Sequence, residues 1–243
     1  MLGRVGPFSL TKELGAGYLG DSWLGQAENG AQVVVKLSRQ MRPTSEFRLL
    51  AELEHPGVPR IALCGIDGGR FWVATHWLDG EPLEAGLPAR NDEEEFAAAA
   101  AIALLYLASC GVIHGDVHPG NLLCAPAGYA ARLLDFGLAS DGEALPAGRR
   151  GFIAPEVLAG GGRTTASDLF GLGASLRDRG AARSARVAKF AEALTSPDPQ
   201  VRILAAREFV SGRALPVCGP RRNRRMEELK GLATVLDEGI RPA

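Results

Sequence analysis

From Phe96 to Ile113 the chain reads "FAAAAAIALLYLASCGVI", 18 residues without a charge. A stretch like this must be covered on nearly every side, by lipid or by protein. Its length sits at the threshold for a membrane span. Much of it is alanine, however, which is only weakly apolar, and "DEEE" stands immediately before it. It also runs straight into the polar segment "HGDVHPGN". A buried helix of a water-soluble unit is therefore expected. Asn91 and Glu94 are placed to cap its start, and Gly111 to end it. A helix buried all round requires further helices packed about it, which sets the character of this part of the chain.

The rest of the composition permits such a core. Of 243 residues, 46% are hydrophobic and 23% charged, enough for one large domain or two small lobes. A formal net charge of −1 argues against a nucleic-acid or membrane partner. Cys64, Cys110, Cys124 and Cys218 are scattered with no C-x-x-C pair, so neither zinc nor a disulfide framework is indicated. A reducing, cytoplasmic setting fits that usage. The opening "MLGRVGPFSL" lacks the apolar core of a signal peptide.

Before the long helix the pattern is different. Residues 8–36 alternate as strand, glycine turn, strand, "NG" turn and strand, with Asn29-Gly30 a strong hairpin signal. A helix is expected over 43–54, then strands near 60–66 and 70–77 joined through Asp67-Gly68-Gly69. Helices dominate after Asn91, with short strands near 122–124 and 131–134. The expected architecture is α+β and bilobal: an antiparallel β lobe with one helix over 1–79 and a larger helical lobe over 80–212. A basic and amphipathic tail fills 213–243, where "RRNRR" precedes a stripe of Met226, Leu229, Leu232, Ala233 and Leu236. The tail is expected to pack on the larger lobe or dock a partner.

Several residues carry chemistry. Gly15, Gly17 and Gly20 form G-x-G-x-x-G with strands on both sides, which excludes the strand-to-helix dinucleotide reading. Glycines in a hairpin instead let the backbone approach phosphate oxygens. Lys36 ends "VVVK", and a lysine deep in an apolar strand needs an anionic partner, which Glu46 can supply. Asn121 and Asp135 offer the oxygen ligands that Mg²⁺ prefers. Asp116 remains as a carboxylate able to orient a hydroxyl. His114 and His118 are spaced as a zinc pair on a helix would be, but Pro119 and Gly120 oppose a helix there.

Taken in order, these segments resemble the protein kinase superfamily over about residues 8–212. "GAGYLG" is similar to the glycine loop and "VVVK" to V-A-I-K. "HGDVHPGN" resembles the catalytic loop H-R-D-x-x-x-x-N, while "DFG" and "APE", at 154–156, are identical. The resemblance implies ATP as phosphoryl donor, with Mg²⁺ or Mn²⁺ held by Asn121 and Asp135. It implies that Lys36, paired to Glu46, holds the α/β-phosphates, and that Asp116 accepts the substrate hydroxyl proton. Glu46 is selected because it stands nine residues before His55-Pro56. Ser22 and Val34 occupy the positions that enclose adenine, Thr75 to Leu78, with Trp77, resembles the gatekeeper and hinge, and Leu123 the adenine floor. Asp168 resembles the aspartate that braces the catalytic loop, and Arg202 the arginine that pairs with the "APE" glutamate, Glu156. His114 is expected to pack under Phe136.

The departures are as informative. Gly115 stands where the catalytic loop usually has arginine, and His118 where Ser/Thr kinases carry lysine. Arg149 replaces the threonine five residues before the alanine of "APE" and is expected to restore positive charge near the γ-phosphate. The chain between Asp168 and Arg202 is short, so substrate-side helices are expected to be reduced. Three functions follow from the resemblance: a Ser/Thr-type protein kinase acting on a protein, a small-molecule kinase of the aminoglycoside or choline type, whose loop "HGDVHPGN" resembles, and a nucleotide-binding pseudokinase scaffold. "APE", Asp168 and Arg202 favour the first. Between "DFG" and "APE" the only hydroxyl is Ser140, so activity without activation-segment phosphorylation is expected.

Overall fold

A computed structural model describes residues 3–16, 20–39, 44–89, 92–126, 128–140, 148–179 and 183–214. The described residues form two compact units. One holds those up to Glu52 and Pro59–Trp77; the other holds Leu53–Val58 and those from Leu78 onward.

The first unit is a six-stranded antiparallel sheet. Its strands are β1 (Arg4–Val5), β2 (Phe8–Ala16), β3 (Gly20–Gln26), β4 (Gln32–Ser38), β5 (Ile61–Asp67) and β6 (Arg70–His76), in the order β1-β2-β3-β4-β6-β5. Both hairpins expected from Asn29-Gly30 and Asp67-Gly68-Gly69 form, with Gly30, Gly68 and Gly69 at φ 86°, 54° and 76°. Alternation gives the sheet two faces. Val33 and Val35 point to one, where they meet Val5, Phe8, Leu10, Trp72 and Ala74 in an apolar cluster. Phe8 and Trp72 meet there edge-on, ring centroids 5.9 Å apart. Val34 and Lys36 therefore belong to the opposite face, and their register partners Thr75 and Val73 go with them.

Helix α1 (Ser45–Leu50) packs on that second face through Phe47, whose ring meets Phe71 edge-on at 5.2 Å. It is shorter than the helix expected over 43–54. The Thr44 side chain caps its first turn by accepting from the Phe47 amide, and a bond from the Glu52 amide to Leu49 carbonyl tightens its end. Beyond it, Leu53–Val58 joins the second unit, where His55 stacks on Tyr106 at 4.8 Å and the Glu54 amide donates to the Tyr106 hydroxyl.

The second unit is built round α2 (Glu93–Ser109), the charge-free run. Phe96 to Leu104, Tyr106 and Leu107 are all buried, as that run requires. Asp92 caps the helix by accepting from the Glu95 amide, 2.8 Å; Asn91 lies outside the described residues. Gly111 follows the end at φ 70°, as expected of a C-terminal glycine. Around α2 pack α4 (Thr165–Asp178), α5 (Ala185–Leu194) and β9 (Ala131–Leu133), which pairs with β8 (Leu122–Cys124). A two-residue strand, β7 (Glu81–Pro82), adds to β8 and was not foreseen. Helix α3 (Pro155–Leu158) carries the end of "APE", and α6 (Pro199–Phe209) carries Arg202. Among the described residues α5 is the one helix between α4 and α6, consistent with the reduced substrate side. No helix among them is long and apolar enough to cross a membrane.

Candidate active site

In the first unit the candidate residues lie on the face opposite the apolar cluster. Ser22 is the register partner of Lys36, and Val34 of Thr75, so all four stand on neighbouring strands of one face. The Lys36 ammonium donates to Glu46 Oε1 at 2.5 Å. Both side chains are largely covered, 29% and 12% exposed, so the pair is sheltered from water without being sealed. Phe47, the next residue on α1, fixes the helix that presents Glu46. Trp77 follows the same strand and donates its amide to the Gln32 carbonyl at 3.2 Å. The glycines differ in role. A Cβ on Gly20 would lie 2.3 Å from the Leu37 carbonyl oxygen, so glycine there is required by packing. A Cβ on Gly15 would meet nothing within 4 Å, so packing does not explain that glycine. Gly17 lies outside the described residues.

In the second unit the loop after α2 is held by its neighbours' backbone and side chains. Asp168, 4% exposed on α4, accepts from the amides of His114 and Gly115, both at 2.8 Å. Close approach of α4 depends on Gly171, whose Cβ would lie 2.4 Å from the Val117 carbonyl oxygen. Burial pushes the Asp168 carboxyl up to about 7, against the opposing pull of those two amides and of the Arg163 guanidinium. The His114 ring is fully covered, and burial draws it down to about 4, so it is neutral. Its Nε2–H donates to the Leu134 carbonyl at 2.9 Å and its Nδ1 accepts from the Asp116 amide at 3.3 Å. The ring also meets Phe136 edge-on at 4.8 Å, the packing expected of it.

These contacts place the reactive side chains. Asn121, in the 3-10 turn Pro119–Asn121, donates its amide to the Asp116 carbonyl at 3.0 Å and to Asp116 Oδ2 at 3.3 Å. The amide NH₂ is thus committed to Asp116, and the side-chain carbonyl oxygen is the ligand atom that remains. The Asn121 main-chain oxygen accepts from the Leu134 amide at 2.8 Å, tying this loop to the residue before Asp135. Asp135 is the one non-glycine residue at positive φ, 55°, among the described residues. Such strain in a non-glycine residue is uncommon and persists where surroundings impose it. Asp135 Oδ1 accepts from the Gly137 amide at 3.2 Å, and Phe136 is buried beside it. Leu123 lies on β8, buried, paired with Pro82 and Arg132.

His118 and Arg149 stand at the rim. His118 Nδ1 accepts from the Gly120 amide at 3.0 Å, which leaves Nε2 facing Asp116 Oδ2 at 3.6 Å. Arg149 shares a small pocket with Asp116, but its Nη1 is engaged by Glu84 at 2.6 Å, with both side chains nearly half exposed. The Arg149 hydrogen bond and charge hold the Glu84 carboxyl below its usual range. Two members of this set escaped the sequence reading. Glu84 is one acid among several before α2, with no local signal. Arg163, buried between Gly115 and Leu138, was signalled only as a lone cation in "GGGRTTASD". Deeper in the unit, Arg202 is fully covered and donates to Glu156 at 2.8 Å and to the Ala166 carbonyl at 3.0 Å.

A set of this kind, an aspartate and asparagine on a braced loop with "DFG" and a buried arginine paired with the "APE" glutamate, defines a protein kinase domain. Residues 8–179 match the family model described as the protein kinase domain, and the chain belongs to that family. It is similar to the serine/threonine-protein kinase PknJ of Mycobacterium tuberculosis, 32% identical over 195 residues, which covers 70% of this chain and 33% of that protein. It is also similar to the DNA damage-responsive serine/threonine-protein kinase RqkA of Deinococcus radiodurans, 32% identical over 71% of this chain and 29% of the relative. A third, the probable serine/threonine-protein kinase PkwA of Thermomonospora curvata, is 28% identical over 75% of this chain and 27% of its own length. The chain thus spans about a third or less of these relatives.

Proposed function

We propose that this chain transfers the γ-phosphoryl group of ATP, with Mg²⁺ or Mn²⁺, to a serine or threonine hydroxyl of a protein. The observation that carries the reading is the Asn121 side chain, which holds Asp116 through its NH₂ and so presents its own carbonyl oxygen as a hard ligand. Asp135, bent by its left-handed backbone, supplies the second oxygen ligand of the pair. When bound, the metal ion supplies neutralisation of phosphate charge. The chain's residues do the rest by position and field. Asp116 accepts the hydroxyl proton as the acceptor oxygen bonds to phosphorus and the bond to the β-phosphate oxygen breaks, releasing ADP. Lys36, steadied by Glu46, holds phosphate oxygens, and the open space at Gly15 suits close approach of a phosphate to the backbone. Ser22, Val34, Thr75 and Trp77 of the first unit, and Leu123 of the second, are each assigned to adenine by the family resemblance. His118 and Arg149 face the transferred group and its acceptor.

A protein acceptor is preferred to a small molecule because of the pairing of Glu156 with buried Arg202 and the bracing by Asp168, and because the similar proteins named above are serine/threonine-protein kinases. Residues 1–79 and 80–212 serve as nucleotide-binding and catalytic lobes. The tail over 213–243, from 215 outside the described residues, docks a partner or packs on the larger lobe. Cys64, Cys110 and Cys124 form no disulfide among the described residues, which suits a cytoplasmic setting.

The test is incubation with γ-labelled Mg-ATP, alone and then with protein and metabolite extracts, followed by identification of the labelled residue. Label on serine or threonine of protein is the expected result. Label confined to a small molecule would replace this reading by a small-molecule kinase, and no transfer with retained nucleotide binding by a pseudokinase.

A further inference from the structure

Gly115 stands where the catalytic loop of the family carries arginine, yet the space beside it is not empty. Its backbone is left-handed, φ 79°, and a Cβ built on it would lie 2.6 Å from Arg163 Nη1 and 2.9 Å from the Leu138 carbonyl oxygen. The Arg163 side chain comes from the turn before α4, 48 residues further on, and only 6% of the residue is exposed. Its Nη1 donates to the Leu138 carbonyl at 3.2 Å, one residue beyond "DFG". It lines the same pocket as Asp116 and Asp168.

Two carboxylates in one pocket repel, and a partly buried pair is screened little by water. Arg163 is the cation that acts on both. Burial weakens its hold on its proton, and the Asp116 and Asp168 carboxylates oppose that only in part. An arginine at 115 and the one at 163 would compete for the same volume, so the glycine and the distant arginine form a matched pair.

We infer that Arg163 is a positioning residue: its guanidinium clamps the catalytic loop at Gly115 to the end of the "DFG" turn at Leu138, and replaces from a different segment the arginine missing from the loop. This rests on the proposed kinase reading. An arginine supplied from within the fold needs no phosphate to hold it, because the Leu138 carbonyl accepts from it and the nearby charges of Asp116 and Asp168 favour it. That gives a physical basis for a catalytic loop ordered without activation-segment phosphorylation.

The experiment compares wild type, Arg163→Met and Arg163→Lys after phosphatase co-expression, with steady-state rates and amide hydrogen exchange on the same preparations. Arg163→Met is expected to lower kcat about tenfold or more, the scale of one charge-assisted hydrogen bond, with KM for ATP within about twofold. Arg163→Lys, which keeps the charge, is expected to recover part of kcat. The segment 113–117 should exchange faster in Arg163→Met while α4 over 166–176 is unchanged. An unchanged kcat in an active enzyme would overturn the inference, as would kcat and ATP affinity falling together with faster exchange throughout α4, which describes a general loss of structure. A wild type that transfers no phosphate sinks the kinase reading alone. The exchange comparison then still decides the clamp: equal protection of 113–117 in wild type and Arg163→Met rejects it.

Discussion

The two units hold their candidate site residues in different ways. In the first, Lys36 is ion-paired with Glu46 on α1, set on a strand whose opposite face is an apolar cluster. In the second, Asp116 is held by a network: His114 Nδ1 on its amide, Asn121 on its carbonyl and carboxylate, and Asp168 on the two preceding amides. The pair can be broken without disturbing its supports. The network cannot, because His114, Asn121 and Asp168 are buried and each satisfies a polar group of the loop. Substitutions in the first unit should therefore change function at little cost in stability, and those in the second should change both.

The comparison is broken most severely at the base of the second unit. Glu156→Ala leaves Arg202 buried without its carboxylate partner. Breaking such a pair costs about 3–5 kcal/mol, and partial exposure of Glu156 puts the expected loss at the lower end, about 3 kcal/mol in chemical denaturation. Lys36→Met provides the contrast. Nucleotide affinity and phosphoryl transfer should fall by about tenfold or more, while stability changes by less than about 1.5 kcal/mol. Equal losses of stability in the two variants would remove the distinction.

Acid titration sharpens the comparison within the second unit. His55 and His114 are both drawn down to about 4 by burial. Between about 6.5 and 4 the unfolded chain binds more protons at these sites, so their contribution is lost as pH falls through that window. Asp168, raised to about 7, acts in the opposite sense: its folded form binds more protons, so its contribution grows as pH falls through 7. Two histidines oppose one carboxyl, and the unfolding midpoint is expected to drop between pH 6.5 and 4. His55→Gln, away from the catalytic loop, should flatten that drop; an unchanged slope would remove His55 from the account. The smallest effect is expected at Ser140→Ala. The Ser140 backbone pairs with Ile113 in both directions, which the substitution leaves intact, so the initial rate after phosphatase treatment should stay within about twofold. A large loss restored by phosphorylation would show that the segment needs a phosphate.

What could be read from the sequence was what is local or periodic. The "NG" and "DGG" turns, the alternation of β4 and the charge-free α2 each state their structure within a few residues. Lys36–Glu46 followed because an apolar strand ending in lysine demands a carboxylate, and one helix is at hand. Residues meeting across long separations left no such trace. Arg163 fills the space at Gly115 from 48 residues away, and the lone cation in "GGGRTTASD" does not say which residue it meets. The Glu84–Arg149 pair joins residues 65 apart on exposed surface, where many acids are equally placed. The membership of Leu53–Val58 in the second unit depends on His55 stacking on Tyr106, a contact that helical periodicity in 43–54 concealed. The early end of α1 has the same origin, since its last expected turn is the segment that leaves for that contact.

The central claim is that Asp116 and Asp135 do separate jobs on one nucleotide, and paired measurements of ATP binding and turnover test it. In wild type, binding and transfer should both depend on Mg²⁺ or Mn²⁺. Asp116→Asn should keep metal-dependent ATP binding within about threefold and lose turnover by about 10²-fold or more, the scale of a positioned base. Asp135→Asn should lose the metal dependence of binding itself. Wild-type turnover in Asp116→Asn, or undiminished metal-dependent binding in Asp135→Asn, would contradict the account.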